Sequence, residues 1–264
     1  VVGLWSVLTN PNACSKLLFE MSKNNAMTNA DKLDCDVKQR LIEAAGEIFA
    51  QKGYRGATIR EICGKAGAHV GAVNYHFRDK EGLFAAVLEH AHQWSVHKYP
   101  PDAEVGPKAV AETRLRGFVH SFLLRVLGPG VPDWHGQLIA REMGEPSEAL
   151  NQMVRNSIHP LYVYLADIIR ELLAEGLEQA NHPDETVFLC AMSVTSQCLQ
   201  YFTSRHVIAA LCPSGFDSTD IDELTDHITI FCLGGIQAVA NSRLHSCKAD
   251  HTEHVPKNPK TEVL

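Results

Sequence analysis

The sequence predicts an all-α protein with two domains: a small N-terminal three-helix unit containing a helix-turn-helix, and a larger C-terminal helical body. Three observations carry this. Apolar residues recur at three- and four-residue spacing through nearly all of the 264 residues, and strand-like alternation is scarce. Residues 58–81, TIREICGKAGAHVGAVNYHFRDKE, read as a short capped helix, a glycine turn and a second short helix ending in an aromatic and basic cluster. The run YPPDAEVGP at 99–107 then breaks the helical pattern and marks a domain boundary.

Residues 1–35 lack a charged start before their apolar stretch and make a poor signal peptide; they are expected to be a poorly ordered extension, with Met21 and Met27 as candidate starts. The first domain spans 36–98. Val37, Leu41, Ala45, Ile48 and Phe49 share one helical face, and Gly53 supplies a stop. Thr58-Ile59-Arg60-Glu61 is a capping box, so the second helix starts at Thr58, and it ends at Gly67. A third helix covers 69–77. A fourth starts near Lys80, with Leu83, Phe84, Val87, Leu88, Ala91 and Trp94 on one face. The second domain spans 107–245, with helices at 108–127, 134–144, 147–176 (interrupted at Pro160), 184–206 and 218–243. Residues 246–264 are polar, contain proline and are expected to form a disordered tail.

Composition narrows the functional classes. A hydrophobic content of 45% supports a real core, yet no apolar run reaches the roughly 18 residues that suggest a membrane span. The eight cysteines are scattered without a CxxC pair, which argues against zinc or thioredoxin-like chemistry and fits a reducing cytoplasm. Cys63, Cys190, Cys198 and Cys232 fall on apolar helix faces, as small core residues do. Residues 36–85 hold eight Lys/Arg against six Asp/Glu, whereas 86–264 hold thirteen against twenty-two. A basic head on an acidic body suits a unit that grips phosphates and a body that stays off them.

A helix-turn-helix places its second helix in the major groove of DNA. Gly67 permits the positive-φ turn, and Gly71 and Ala72 lack bulk, so the helix can approach the bases. Tyr75 and His76 end that helix where a phosphate strand would pass, and Lys80 opens the next, where its charge and the helix N-terminus both favour an anion. In order and spacing, Thr58, Ile59-Arg60-Glu61-Ile62, Ala66-Gly67, Gly71-Ala72-Val73, Tyr75-His76-Phe77 and Lys80-Glu81-Gly82-Leu83 resemble the N-terminal domain of TetR-family transcriptional regulators. The resemblance implies that Thr58, Tyr75, His76 and Lys80 contact phosphates. It implies that Val70, Gly71, Ala72 and Asn74 face base edges, with Arg60 nearby. His69 departs from the usual cap. Asn74 replaces a frequent aromatic and either reads adenine or faces solvent or phosphate.

In the body, Val187, Ala191, Val194, Cys198 and Tyr201 form one stripe, and Ile221, Leu224, Ile228, Phe231, Gly235 and Ala238 another, both at coiled-coil spacing. Either each helix buries its stripe inside one subunit, or the pair builds a four-helix homodimer interface. The second reading is preferred, because two heads read a palindrome and TetR-family proteins use their last two long helices this way. REMGEPSEALNQMV, with His159-Pro160 and Tyr162, resembles the CecR-like branch of that family. That implies a pocket for a small-molecule effector among the middle helices, with Phe118, Phe122, Trp134, Leu138, Arg141, Met143, Met153, Tyr162 and Gln197 as candidate lining. Arg141 would pair with an anionic ligand, or else with Glu142 or Glu145. Neither Glu89/His90/His92 nor Glu223/His227 repeats the Glu-x-x-His pattern of a di-iron bundle, so no metal, cofactor or catalytic residue is expected. The expectation is a homodimeric repressor of a palindromic double-stranded DNA operator, released by its effector; the alternative is a TetR-like dimer acting as an activator or as an interaction module that does not bind DNA.

Overall fold

A computed structural model of the chain describes residues 29–102, 105–106, 108–174, 183–214 and 216–250. The helices are α1 (Asn29–Gly56), α2 (Ile59–Ala66), α3 (Gly71–Phe77), α4 (Lys80–Lys98), α5 (Ala111–Leu127), α6 (Asp133–Gly144), α7 (Glu148–Met153), α8 (His159–Ala174), α9 (Asp184–Thr203), α10 (Arg205–Leu211) and α11 (Ile221–Asp250). No strand occurs among the described residues.

Two boundaries move. Asn29–Cys35, expected to be part of a loosely ordered extension, is the start of α1, and α11 runs past 245 to Asp250. Lengthening an existing helix avoids the cost of nucleating a new one, so polar flanks join it readily. Residues 1–28 and 251–264 lie outside the described residues. Farther along, the break expected at Pro160 falls just before it. Val154–Ile158 form a π-helical turn in which the His159 N–H bonds to the Val154 carbonyl, five residues back. Pro160 has no N–H to give to the carbonyl of Asn156, which removes one bond of the tighter α-helical ladder there.

The first core gathers α1 to α4 around Leu41, Ala45, Phe49, Ile62, Val73, Phe77, Leu83, Phe84 and Leu88. Arg40 donates from Nη1 to the Ala66 carbonyl at 2.7 Å, and the ion pairs Lys65–Glu47 and Lys52–Glu61 tie α1 to α2. A second core joins α5, α8, α9 and α11 around Leu115, Phe118, Leu165, Ile169, Val187, Val194 and Ile228.

Two helices couple these cores. The first half of α4 lies in the head core; beyond its far end, the Tyr99 hydroxyl donates to the Pro129 carbonyl at 2.8 Å. Helix α6 lies across α1. The Trp134 ring fills the space that a side chain at residue 46 would take, since a Cβ on Gly46 would sit 2.5 Å from it. Leu138, Ala149 and Met153, from α6 and α7, are buried in the head core.

Candidate nucleic-acid interface

Thr58 caps α2 in extended backbone, and its Oγ accepts from the Glu61 N–H at 3.2 Å. Only half of the capping box forms, because the Glu61 carboxylate pairs with Lys52. Thr58 is exposed, and its O–H is free to donate. Gly67 closes α2 in the left-handed region (φ 61°, ψ 36°), which turns the chain into α3. The third helix begins at Gly71, not at 69. Val70 holds the cap position without a side-chain bond, and His69 just before it takes the first helical N–H, its Nδ1 accepting from Gly71 at 3.2 Å.

Along α3, Val73 and Phe77 are buried, and the opposite side shows Val70, Gly71, Asn74 and Tyr75 exposed, with Ala72 half-buried and Arg60 exposed on α2. Tyr75 is 76% exposed, which is unusual for a ring of its size unless it has a partner to meet. Lys80 opens α4, its Nζ 4.6 Å from the centroid of the Tyr54 ring. Between them Arg78 adopts φ 73°, a positive value for a non-glycine residue, as the chain turns sharply from α3 to α4. Among the described residues Arg60, Arg78 and Lys80 form no ion pair, so their charge is available to phosphates.

His76 does not fit the expected phosphate grip. Its side chain is only 7% exposed and faces inward, with Nε2 3.5 Å from Asp34 on α1. The helical period explains this: one residue after Tyr75, the side chain has rotated about 100° toward α1.

The expected effector lining does not converge on one cavity. Phe118 is core of the body, and Leu138 and Met153 are core of the head. Trp134 packs on Gly46, and Met143 is exposed. Arg141 pairs with neither Glu142 nor Glu145. Its Nη1 reaches toward the Ala50 and Gln51 carbonyls at 3.4 and 3.5 Å, at the end of α1. Tyr162 packs against the body core beside Phe188, and Phe122 lies under Arg125. Gln197 lines an open groove of about 540 Å³ with Gln200, Tyr201, Leu211 and Phe216, and donates to Cys232 Sγ at 3.2 Å.

The dimer stripes are also corrected. Val187, Ala191, Val194, Cys198, Leu224 and Ile228 are buried in the subunit's own core, so the intrasubunit reading holds for them. Ile221 and Tyr201 are half-buried against that core. Only Phe231, Gly235 and Ala238 remain on the surface. They adjoin residues that the heptad pattern left out: Ile230, 72% exposed on α11, with Leu189 exposed on α9. Each helix carries two apolar faces: the heptad followed the inner one on α9, but on α11 it crossed from the inner face (Leu224, Ile228) to the outer one (Phe231, Gly235, Ala238), while the inner face continues through Cys232, Ile236 and Ala240.

Buried histidines mark the joint between head and body. His135 sits edge-on to Trp134 and Trp94, and burial, then the neighbouring His90, lowers its pKa to about 4. His90 is lowered as well, by burial. No group of three or more His, Cys, Asp or Glu side chains among the described residues is arranged to hold a metal ion.

Comparison with known proteins agrees with this architecture. Residues 41–87 match the family described as bacterial regulatory proteins, tetR family, and residues 111–236 match the C-terminal domain of the HTH-type transcriptional dual regulator CecR. The chain is 29% identical over 141 residues to the HTH-type transcriptional regulator SrpR of Pseudomonas putida, covering 53% of this chain and 63% of SrpR. It is 30% identical over 122 residues to the regulator TtgW of the same species, covering 46% of this chain and 87% of TtgW. The fold is that of the transcriptional regulator FadR from Bacillus subtilis, solved in complex with stearoyl-CoA. There the TM-score is 0.57 at 17% identity, over 75% of this chain and 98% of FadR.

Proposed function

We infer the function from membership: the chain belongs to the TetR family, in its CecR-like branch, and is a DNA-binding transcriptional regulator rather than an enzyme. The finer reading is a homodimeric repressor of a palindromic operator, acting in the cytoplasm and released by a small-molecule effector. No described helix is long and apolar enough to cross a membrane. The head, 36–98, binds DNA; the body, 107–245, binds the effector and the second subunit.

The observation that carries the DNA role is the exposed Tyr75 at the end of a short helix whose outward side is small or polar, flanked in the chain by the exposed Thr58 that caps α2 and by Lys80, which opens α4. Thr58, Tyr75 and Lys80 grip phosphates, joined by Arg78. Val70, Gly71, Ala72 and Asn74 face the bases, with Arg60 at the edge. His76 braces α3 against α1.

A dimer rests on the outer faces of α9 and α11, where Leu189, Ile230 and Phe231 stand in water. Gly234 and Gly235 interrupt α11, yet a Cβ at either would meet nothing within 4 Å. Glycine inside a helix costs about 1 kcal/mol against alanine. Nothing among the described residues uses the space, so close approach of a partner helix accounts for it. That FadR was solved holding stearoyl-CoA supports an effector with an apolar part, bound in the helical body.

Selection from a random duplex pool, followed by titration of the chosen site at several salt concentrations, tests this. Lys80→Ala is expected to weaken binding on every sequence and to flatten the salt slope by about 0.9. Tyr75→Phe is expected to weaken all sequences alike, and Asn74→Ala to change base preference. A folded protein that selects no sequence would refute the regulatory reading.

A further inference from the structure

Arg125 is a cation in an apolar place. It lies on α5 with Phe118, Ser121 and Phe122 on the same helical face and exposes only 7% of its surface. Its guanidinium carbon is 5.3 Å from the centroid of the Phe122 ring and 5.9 Å from that of Phe118. Nη1 donates to the Tyr99 carbonyl at 3.0 Å and to Ser121 Oγ at 3.1 Å. Nη2 is buried with no hydrogen-bond partner, and no carboxylate among the described residues pairs with the group.

The charge is not removed by other means. Burial lowers the Arg125 pKa only to about 10, so it stays protonated near neutrality. The nearby Cys198 thiol offers no counter-charge, because burial pushes its pKa up to about 12. His92 on α4, near enough to feel the charge of Arg125, has a buried Nδ1 that also lacks a partner. Burial, and then the charge of Arg125, lowers the His92 pKa to about 4, so its ring is neutral. A neutral imidazole with its proton on Nδ1 is a hydrogen-bond donor. A buried cation is stable only when paired and hydrogen-bonded. Here a buried cation with an open N–H is walled by two aromatic rings, and a neutral imidazole with an open nitrogen lies within range of its charge.

We propose that Arg125 and His92 form the anion-binding end of the effector site, and that the effector is an organic carboxylate whose apolar part lies against Phe118 and Phe122. This deepens the regulatory reading and rests on it. The carboxylate accepts from Arg125 Nη2 and from His92 Nδ1. Helix α4 makes the site responsive, because the helix that carries His92 also places Leu83, Phe84 and Leu88 in the head core. An acid seated between α4 and α5 therefore touches the element that orients α3.

The test uses the full chain with octanoate and phenylacetate as probes, 1-octanol as a neutral match and sodium sulfate as an inorganic one. Melting temperature and calorimetry are read on wild type, Arg125→Met, Arg125→Lys and His92→Phe. At least one acid is expected to raise the wild-type melting temperature, with octanol and sulfate giving no such shift. Arg125→Met is expected to bind that acid roughly tenfold to a hundredfold more weakly, the loss of a charge-assisted bond. Arg125→Lys keeps part of the affinity. The proposal is overturned by no binding of either acid, by octanol matching octanoate, by sulfate alone giving the same shift, or by undiminished binding to Arg125→Met. If Arg125→Met does not fold, equal acid affinity in His92→Phe and wild type overturns it instead. Operator binding of the same wild-type preparation without acid separates the two readings: its absence sinks the regulatory role, whereas an acid without effect sinks only this site.

Discussion

Replacing Gly82 with alanine should break the joint between α3 and α4. In an ordinary helix the change stabilises by about 1 kcal/mol. Here the sign reverses. A Cβ at Gly82 falls less than 3.0 Å from the Phe77 carbonyl oxygen, and that obstacle is backbone, which cannot rotate aside. The end of α3 must retreat by roughly 1 Å, and overpacking of this kind costs about 1–3 kcal/mol. The same shift strains the cap of α4, where Asp79 Oδ1 accepts from the Gly82 N–H at 2.7 Å, and losing such a cap costs about 1 kcal/mol more. Set against the helix-propensity gain, the net expectation is a loss of about 1–3 kcal/mol. Gly64→Ala is the internal control: it lies in α2 with nothing within 4 Å of a new Cβ, and should gain about 0.5–1 kcal/mol. Urea unfolding of both variants measures the difference, and duplex titration of folded Gly82→Ala should show weakened binding, because α3 has moved. If Gly82→Ala were as stable as wild type, the inference that this glycine sets the angle of α3 would be refuted.

Replacing Gly234 and Gly235 together with alanine should raise the stability of the isolated subunit by about 1 kcal/mol per site. The same double variant should raise the dimer dissociation constant in sedimentation; an unchanged constant would remove these glycines from the interface. His135 ties stability to pH. Its pKa is lowered in the fold to about 4 from 6.5, so the unfolded chain binds the extra proton between those values. Its contribution is present above about pH 6.5 and lost as pH falls toward 4, amounting to about 2 kcal/mol between pH 7 and pH 5. Urea melts at the two pH values should show this loss in wild type and a smaller one in His135→Phe; equal losses would assign the pH dependence elsewhere.

The head was legible because local chemistry dictates it. Thr58 caps a helix, Gly67 takes a positive φ, and Val73 and Phe77 share one face whatever surrounds them. The body was legible as helices but not as surfaces. Cys198 and Phe231 both belong to apolar stripes, and periodicity does not say which of two stripes meets the subunit's own core. Trp134, Leu138 and Met153 resemble pocket lining in type and spacing, yet they join the head core, Met153 from a helix packed on α4, Trp134 and Leu138 from one packed on α1, where Gly46 leaves room for an indole. That pairing joins residues 88 positions apart, and neither local pattern announces it. Arg125 had a usable signal: a charge three and seven residues beyond Phe122 and Phe118, in the apolar run FVHSFLLRVLG, on the face a core helix buries. His76 carried a weaker one, since its neighbour Tyr75 already occupied the outward position.

Leu138, Ala149 and Met153 complete the hydrophobic core of the head although they follow the boundary at 99–107. This makes the molecule less modular than its chain order suggests. A fragment cut at residue 98 would expose the floor of its own core and should fold poorly by itself. Grafting the head onto another regulator would require α6 and α7 to travel with it. Thermal unfolding should accordingly run as one cooperative transition, with the DNA-reading helices melting together with the body rather than ahead of it.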